Sequence, residues 1–323
     1  TGNSVAIGYK SLKTANGTAL NGAVAIGYES CKALTTGSSN IAIGYQALAQ
    51  HTSGASNTVM GYNAMSQTAG TNASVSTYNT FIGVSSGGGD WADVQSNKNT
   101  AVGFNTMNGA LNGALDNTAL GYDALGSVTT GINNTAVGSN AGDGITGSGY
   151  NVAVGKNALS AGALDANVAI GYAAGAAITG SNNVTIGYAS MLTATTVDRC
   201  VAIGYEALAA ANDDAADGTI AIGYHAGYRS VPSVAGVATA ANTLIGYSAG
   251  ASQEDSTYGL TTGIQNTAVG HESLGGGGDT AHLTGSNNTV MGYRSGYVLT
   301  GAAHSNTIIG SSAGLAITNG DAN

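Results

Sequence analysis

"NTALGYDAL", residues 117–125, returns with small changes as NTAVGSNAG from Asn134, NVAVGKNAL from Asn151 and NVAIGYAAG from Asn167. Repetition at a fixed period outranks local propensity as a clue to architecture, because a solenoid read as a globular chain is misread throughout. Anchored on the glycine after the aliphatic residue, the unit recurs at Gly8, Gly27, Gly44, Gly61, Gly83, Gly103, Gly121, Gly138, Gly155, Gly171, Gly187, Gly204, Gly223, Gly246, Gly270, Gly292 and Gly310. That makes seventeen copies spaced 16 to 24 residues apart. A period near 17 with β-branched residues, glycine corners and a single proline (Pro232) suits one coil of a parallel β-solenoid. Helical repeats need about 33 residues or more and far less glycine. The sequence therefore predicts an all-β chain, one solenoid array over residues 1–323. At about 4.8 Å per coil it would stack to a rod on the order of 80 Å.

Each position of the unit carries its own constraint. The residue before the anchor is always large and aliphatic, as in Ile7, Ile43, Met60, Leu120, Val154 and Ile309, and the one three before is Val, Ile or Thr. Side chains alternate along a strand, so these two share a face, which is expected to point inward. Between them stands Ala in eleven copies, on the opposite face, where a methyl group lets another surface come close. Four before the anchor stands Asn in thirteen copies, replaced by Ser4, Ala23, Cys200 and Thr219 in the rest. A stacked Asn column can hydrogen-bond along itself. The third residue after the anchor is Ala, Ser or Thr, as in Ser11, Ala47, Thr106 and Ala313. So few aliphatic side chains per coil make stability collective and call for contacts beyond the single roll, which are assigned here to the Ala face meeting partner chains.

The stretch NSVAIGYKSL, Asn3 to Leu12, resembles the head repeats of trimeric autotransporter adhesins, and related aliphatic-Gly repeats resemble those of phage tail fibres. The resemblance covers all seventeen copies. It implies a left-handed parallel β-roll with three chains packed around a common axis, Val5, Ile7 and Gly8 falling on the strand and corner and Ser11 on the small-residue position. The repeats here are longer than the compact ones of that family, and Tyr usually follows the glycine. Coiled-coil stalk heptads and an amphipathic barrel segment are lacking, so a phage fibre or free extracellular filament fits better than an outer-membrane adhesin.

Composition narrows the function classes. Charged residues are 8% of the chain, the formal charge is -9, and the eight Lys and Arg form no stripe, so nucleic acid and anionic membrane surfaces are set aside as partners. No apolar window reaches 18 residues, and no membrane insertion is expected. The five His (51, 225, 271, 282, 304) lack metal-ligand spacing and are read as solvated or loop residues. Asp213, Asp214 and Asp217 lack the alternating ligands of a calcium loop, and the GGGGD at 275–279 is a single unrepeated phase. Acids do not recur in register as glycosidase pairs would. No enzyme activity, cofactor or metal is expected.

What remains is structural or binding. The residue after the anchor is Tyr in eleven coils, at 9, 28, 45, 62, 122, 172, 188, 205, 224, 247 and 293, with Ser139, Lys156, His271 and Ser311 among the replacements. Such a column reads as an aromatic ladder that stiffens the array, or as a surface for cell-surface carbohydrate. The candidate ligand residues are Tyr172, Tyr188, Tyr205, Tyr224, Tyr247 and the single Trp91. Loop insertions are expected near 65–79, 86–99, 228–241, 251–266 and 274–288. Gly8, Gly27, Gly44, Gly61, Gly121, Gly171 and Gly204 are structural corners. Sequons stand at Asn16, Asn72, Asn133, Asn183 and Asn287, and Cys31 and Cys200 read as buried thiols.

The last residues, AITNGDAN, close in phase with a coil about to begin, as they would in an excerpt of a longer array or in subunits stacking head to tail. The expected role is a self-associating fibre or filament shaft, extracellular, on a cell surface or on a virion, with an adhesin or receptor-reading fibre as the other reading.

Overall fold

The computed structural model describes residues 3–15, 20–68, 70, 71, 73–211, 216–228, 241–251, 263–275, 285–297, 299, 303–315 and 317. The chain divides into two compact units, Thr1–Gly162 and Ala163–Asn323, each a parallel β-solenoid.

Three-residue strands build both units. The first holds β1 (Val5–Ile7), β2 (Val24–Ile26), β3 (Ile41–Ile43), β4 (Thr58–Met60), β5 (Thr80–Ile82), β6 (Thr100–Val102), β7 (Thr118–Leu120), β8 (Thr135–Val137) and β9 (Val152–Val154). The second holds β10 (Val168–Ile170), β11 (Val184–Ile186), β12 (Val201–Ile203), β13 (Ile220–Ile222), β14 (Thr243–Ile245), β15 (Thr267–Val269), β16 (Thr289–Met291) and β17 (Thr307–Ile309). Within each unit every strand pairs in parallel with the next in sequence. The register sets like on like: Val24 on Ile41, Ala25 on Ala42, Ile26 on Ile43, and again Val201 on Ile220, Ala202 on Ala221, Ile203 on Ile222. Each coil thus satisfies its backbone through its neighbours: Val24 N donates to Asn40 O, Gly44 N to Ile26 O and Gln46 N to Tyr28 O, all at 2.8 Å. Among the described residues there is no α-helix, and a 3-10 turn, Ala73–Val75, sits in the first predicted insertion.

The anchor glycines turn the corner. Gly8, Gly27, Gly44, Gly61, Gly121, Gly171 and Gly204 have φ between 125° and 141°, a region closed to other residues, and a Cβ on any of them would lie within 2.5 Å of the next anchor's carbonyl oxygen. Beyond the corner the second and fourth residues after the anchor are left-handed in every coil, for instance Gln46 (φ 53°) and Leu48 (φ 56°), or Asp123 (φ 55°) and Leu125 (φ 49°). This αL residue, small residue, αL residue run folds the chain back over the strand.

The inside of the roll is the reverse of the expected one. Ala25, Ala42, Ala101, Ala136, Ala153, Ala169, Ala202 and Ala221 have no exposed surface, and the residues on either side of them face out. Leu120 is 49% exposed and Ile309 66% exposed, with Ile41, Met60, Ile170, Ile220 and Met291 close to the same range as Leu120. The reason is width. The left-handed corner sends the fourth residue after the anchor into the roll, where Leu48, Met65, Met107, Leu125, Leu159, Met191 and Leu208 are fully buried. Opposite them stands Ala in five of these seven coils, with Val59 facing Met65 and Thr185 facing Met191. In four coils a large residue at the central strand position coincides with glycine four residues past the anchor: Phe81 with Gly87, Leu244 with Gly250, Val290 with Gly296 and Ile308 with Gly314; Val59 coincides with Met65, and Ala136, Ala169 and Ala221 also face a glycine there. A Cβ on Gly87 would come within 2.6 Å of the Phe81 ring. In these four coils the open corner makes room for the larger central side chain.

Beside this core runs the asparagine column, buried as a polar column must be to hold its bonds from water. Asn57 Oδ1 accepts from Asn79 N at 3.0 Å and from Asn79 Nδ2 at 3.1 Å, while Asn57 Nδ2 donates to Asn40 Oδ1 and to Ser76 O, each at 3.0 Å. The same pattern continues through Asn99, Asn117, Asn134 and Asn151 in the first unit. In the second it joins Asn167 to Asn183, and Asn242 through Asn266 and Asn288 to Asn306. Cys200 and Thr219 interrupt it. Cys200 Sγ donates to Ala216 O at 3.2 Å, and Thr219 Oγ1 is buried without a hydrogen-bond partner.

Candidate functional site

Outside the roll, the tyrosine column forms by the same in-register logic. In the first unit Tyr9, Tyr28, Tyr45 and Tyr62 stack with ring centroids 5.4, 4.9 and 5.0 Å apart. Val84 ends that run. Phe104 then stacks on Tyr122 at 5.5 Å with planes 3° apart, and Ser139 and Lys156 carry no ring. In the second unit Tyr172, Tyr188, Tyr205, Tyr224 and Tyr247 stack at 5.0 to 5.2 Å, His271 continues the column at 4.7 Å from Tyr247, and Tyr293 follows at 5.3 Å. The column is between 37% and 61% exposed. The five candidate ligand tyrosines are therefore one contiguous stack, and their ring faces cover each other. A sugar that needs an open aromatic face finds none between neighbours; it finds a row of hydroxyls and ring edges.

Trp91 does not join them. It is 3% exposed, its Nε1 donates to Gly87 O at 2.9 Å, and its ring meets Phe81 edge-on at 5.8 Å. The insertion at 86–99 brings this tryptophan against the edge of Phe81 and the Gly87 carbonyl. It is a core residue of its coil, which corrects its assignment to ligand contact. The insertions at 228–241, 251–266 and 274–288 lie mostly outside the described residues.

Of the sequon residues, Asn133 and Asn287 are exposed. Asn183 is buried, and its Nδ2 donates to Asn167 Oδ1 at 3.0 Å and to Val197 O at 2.7 Å, so it carries no sugar in this fold. Asn16 and Asn72 lie outside the described residues.

Two histidines, His51 and His225, are buried rather than solvated, while His271 is exposed as expected. His51 is fully buried, with Nδ1 at 3.3 Å from Thr68 Oγ1 and Nε2 at 3.4 Å from Asn57 Nδ2, and burial pushes its pKa down to about 4. His225 is buried too, between the rings of Tyr224 and Tyr228, with Nε2 3.1 Å from Glu206 Oε2. His304 Nδ1 accepts from Ser286 N, and His282 is outside the described residues.

Both thiols are free and buried, as read from the sequence, and desolvation raises Cys31 to about 12 and Cys200 to about 11. Asp217 is buried against Arg199, with its Oδ2 3.0 Å from the guanidinium, and accepts from Asp198 N; Asp213 and Asp214 are outside the described residues.

Chemistry beyond this is sparse. Among the described residues no three His, Cys, Asp or Glu side chains gather where a metal ion could sit. A polar cleft of about 240 Å³ lies between Glu29, Lys32, Gln46, Gln50 and Asn63. Glu29 accepts from Lys32 at 3.1 Å and from Gln46 at 3.2 Å, bonds that hold its carboxyl below the ordinary carboxylate range, and Lys10 stands 3.6 Å away.

What sequence reasoning missed is the outward aliphatic face. The columns through Val24, Ile41 and Thr58, and through Ile26, Ile43 and Met60, lie in register and partly exposed along the first unit, and those through Val168, Val184, Val201 and Ile220 and through Ile170, Ile186, Ile203 and Ile222 do so along the second. A partial signal was present: four of the five large aliphatic or aromatic central residues, Phe81, Leu244, Val290 and Ile308 but not Val59, stand six residues before a glycine. Comparison with protein-family models, with curated proteins and with solved structures found no significant match to this chain.

Proposed function

We propose that the chain is a structural shaft element of a fibre or filament on the outside of a cell or a virion, built from left-handed β-rolls that assemble three around a common axis through their outward aliphatic columns. The observation that carries this reading is the exposed Val/Ile/Leu/Met face in both units. Rows of aliphatic side chains of this extent on a soluble surface mark contact with another protein surface, and a repeated face fits other copies of itself. A shaft also needs what every coil supplies: homotypic ladders inside and out, and few charges to repel a neighbour. Head-to-tail stacking extends the same ladder.

Light scattering and negative-stain imaging of the full chain test this. The expected result is a particle of three times the chain mass that lengthens with concentration. Replacing Leu120, Ile170 and Ile309 by Lys, all outward, should release folded single chains. A wild-type chain that stays single at micromolar concentration would count against assembly.

A second reading, recognition of surface glycan, is favoured by the exposed hydroxyl row from Tyr172 to Tyr247. Glycan-array binding that survives replacement of all five by Phe would remove it.

A further inference from the structure

The phenols of the tyrosine column are the most closely matched reactive groups on the surface. Seven pairs of tyrosines are direct neighbours: 9 with 28, 28 with 45 and 45 with 62 in the first unit, and 172 with 188, 188 with 205, 205 with 224 and 224 with 247 in the second. We propose that these two stacks are sites of oxidative cross-linking, where phenols of successive coils are joined carbon to carbon, ortho to the hydroxyl, as dityrosine.

The chemistry balances with a peroxide-driven one-electron oxidant, a peroxidase being the natural class. Each of two phenols gives up one electron and its hydroxyl proton, which leaves two phenoxyl radicals. Their ortho carbons form one C–C bond, and the two ortho hydrogens then move as protons to the oxygens and restore both phenols. Each link removes two hydrogens from the protein, and one hydrogen peroxide takes them up as two waters.

Geometry favours this pairing over others. Coupling requires two radicals side by side, and here the backbone register holds the rings 4.9 to 5.4 Å apart before any oxidation. The rings lie nearly parallel, so each must turn about its Cβ–Cγ bond to bring an ortho edge toward its neighbour. With 37% to 61% of each residue exposed, the hydroxyls are open to the oxidant. Tyr78 and Tyr150 are more exposed than most of the column, at 64% and 60%, yet neither has a ring neighbour among the described residues. Tyr122 faces Phe104, and Tyr293 faces His271, partners that cannot couple this way. Each link would close a loop of one coil and so restrict the unfolded chain, tying coil to coil where no disulfide does. The inference does not depend on how chains assemble.

The test treats the full chain with peroxidase and hydrogen peroxide, then reads dityrosine fluorescence, mobility on a denaturing gel and cross-linked peptides by mass. Expected are links within single chains, each a loss of two hydrogens, mapped to the seven pairs. The variant with Tyr28, Tyr62, Tyr188 and Tyr224 changed to Phe keeps aromatic stacking, as Phe104 on Tyr122 does, but leaves no two phenols of these two stacks adjacent. Its dityrosine should fall at least tenfold with an unchanged circular dichroism spectrum. Should that variant fold poorly, Tyr205→Phe alone should lose the 188–205 and 205–224 links and keep 172–188. Unchanged dityrosine in either variant, links confined to Tyr78 and Tyr150 between chains, or none at all in the wild type would overturn the proposal.

Discussion

Asn117 Oδ1 accepts two hydrogen bonds from Asn134, one from its backbone amide and one from its side-chain Nδ2, both at 3.0 Å. Asn117 in turn donates from Nδ2 to Asn99 Oδ1 at 3.0 Å and to Gly131 O at 2.7 Å. One buried side chain therefore ties three coils together, with both of its amide groups engaged.

Asn117→Asp should be the more damaging of two changes at this site. It is nearly isosteric, but it turns two donors into acceptors that face the oxygens of Asn99 and Gly131. The expected loss is more than about 3 kcal/mol, against about 2 to 3 kcal/mol for Asn117→Ala, which leaves the buried Asn134 amide unpaired. Urea unfolding followed by circular dichroism measures both; an Asp variant as stable as the wild type would contradict the ladder.

The break at Cys200 and Thr219 is repairable. Cys200 N already donates to Asn183 Oδ1 at 2.9 Å, so the backbone holds ladder geometry, while the Thr219 hydroxyl is buried unbonded. Changing both to Asn should raise stability by about 1 to 3 kcal/mol. Urea midpoints of the double variant decide it; a lowered midpoint would mean the coils here cannot take the larger side chains.

His51 sets a pH dependence. Its folded pKa of about 4 lies below the unfolded value of about 6.5, so the unfolded chain binds the proton first. The neutral imidazole's contribution is whole above pH 6.5 and is lost as pH falls from about 6.5 to 4, about 3 kcal/mol in all. Replacing His51 with Gln should flatten that loss. Urea titrations at pH 7, 5.5 and 4.5 would show it, and parallel declines in both proteins would disprove it.

Phe81 and Gly87 should be inseparable. Phe81→Ala alone opens a cavity, at about 3 to 5 kcal/mol, and Gly87→Leu alone drives a side chain into the Phe81 ring. Made together they reproduce the pairing of Ala119 with Leu125, and the double variant should recover about 2 kcal/mol or more of the summed losses. Thermal unfolding of the four proteins completes the cycle; simple additivity would refute the coupling of Phe81 to Gly87.

Much of this fold is legible in the letters, and its one inversion is instructive. The anchor glycines, three-residue strands, Asn column and Tyr column all follow from period and alternation. Alternation says that Val24 and Ile26 share a face and that Ala25 takes the other, but not which face is enclosed. Hydrophobicity pointed to the aliphatic pair. Enclosed width decided instead, because the corner at Cys31 and Leu48 is left-handed, and single residues such as Leu in that conformation are not read from propensity. Trp91 and His51 were misjudged for a related reason. Composition cannot say that the 86–99 insertion folds Trp91 back onto Phe81 of its own coil, or that His51, in a coil of ordinary length, is enclosed beside the asparagine column.

Like-on-like register carries a hazard as well as a benefit. Asn57 would sit as comfortably on Asn99 as on Asn79, so a folding chain that skips a coil finds almost the same contacts. The Phe81–Gly87 fit lies within one coil and travels with it, so it does not correct such a skip. Insertion or deletion of a whole coil, by contrast, leaves every column intact, which lets a gene of this kind change the length of its product by recombination between its own repeats.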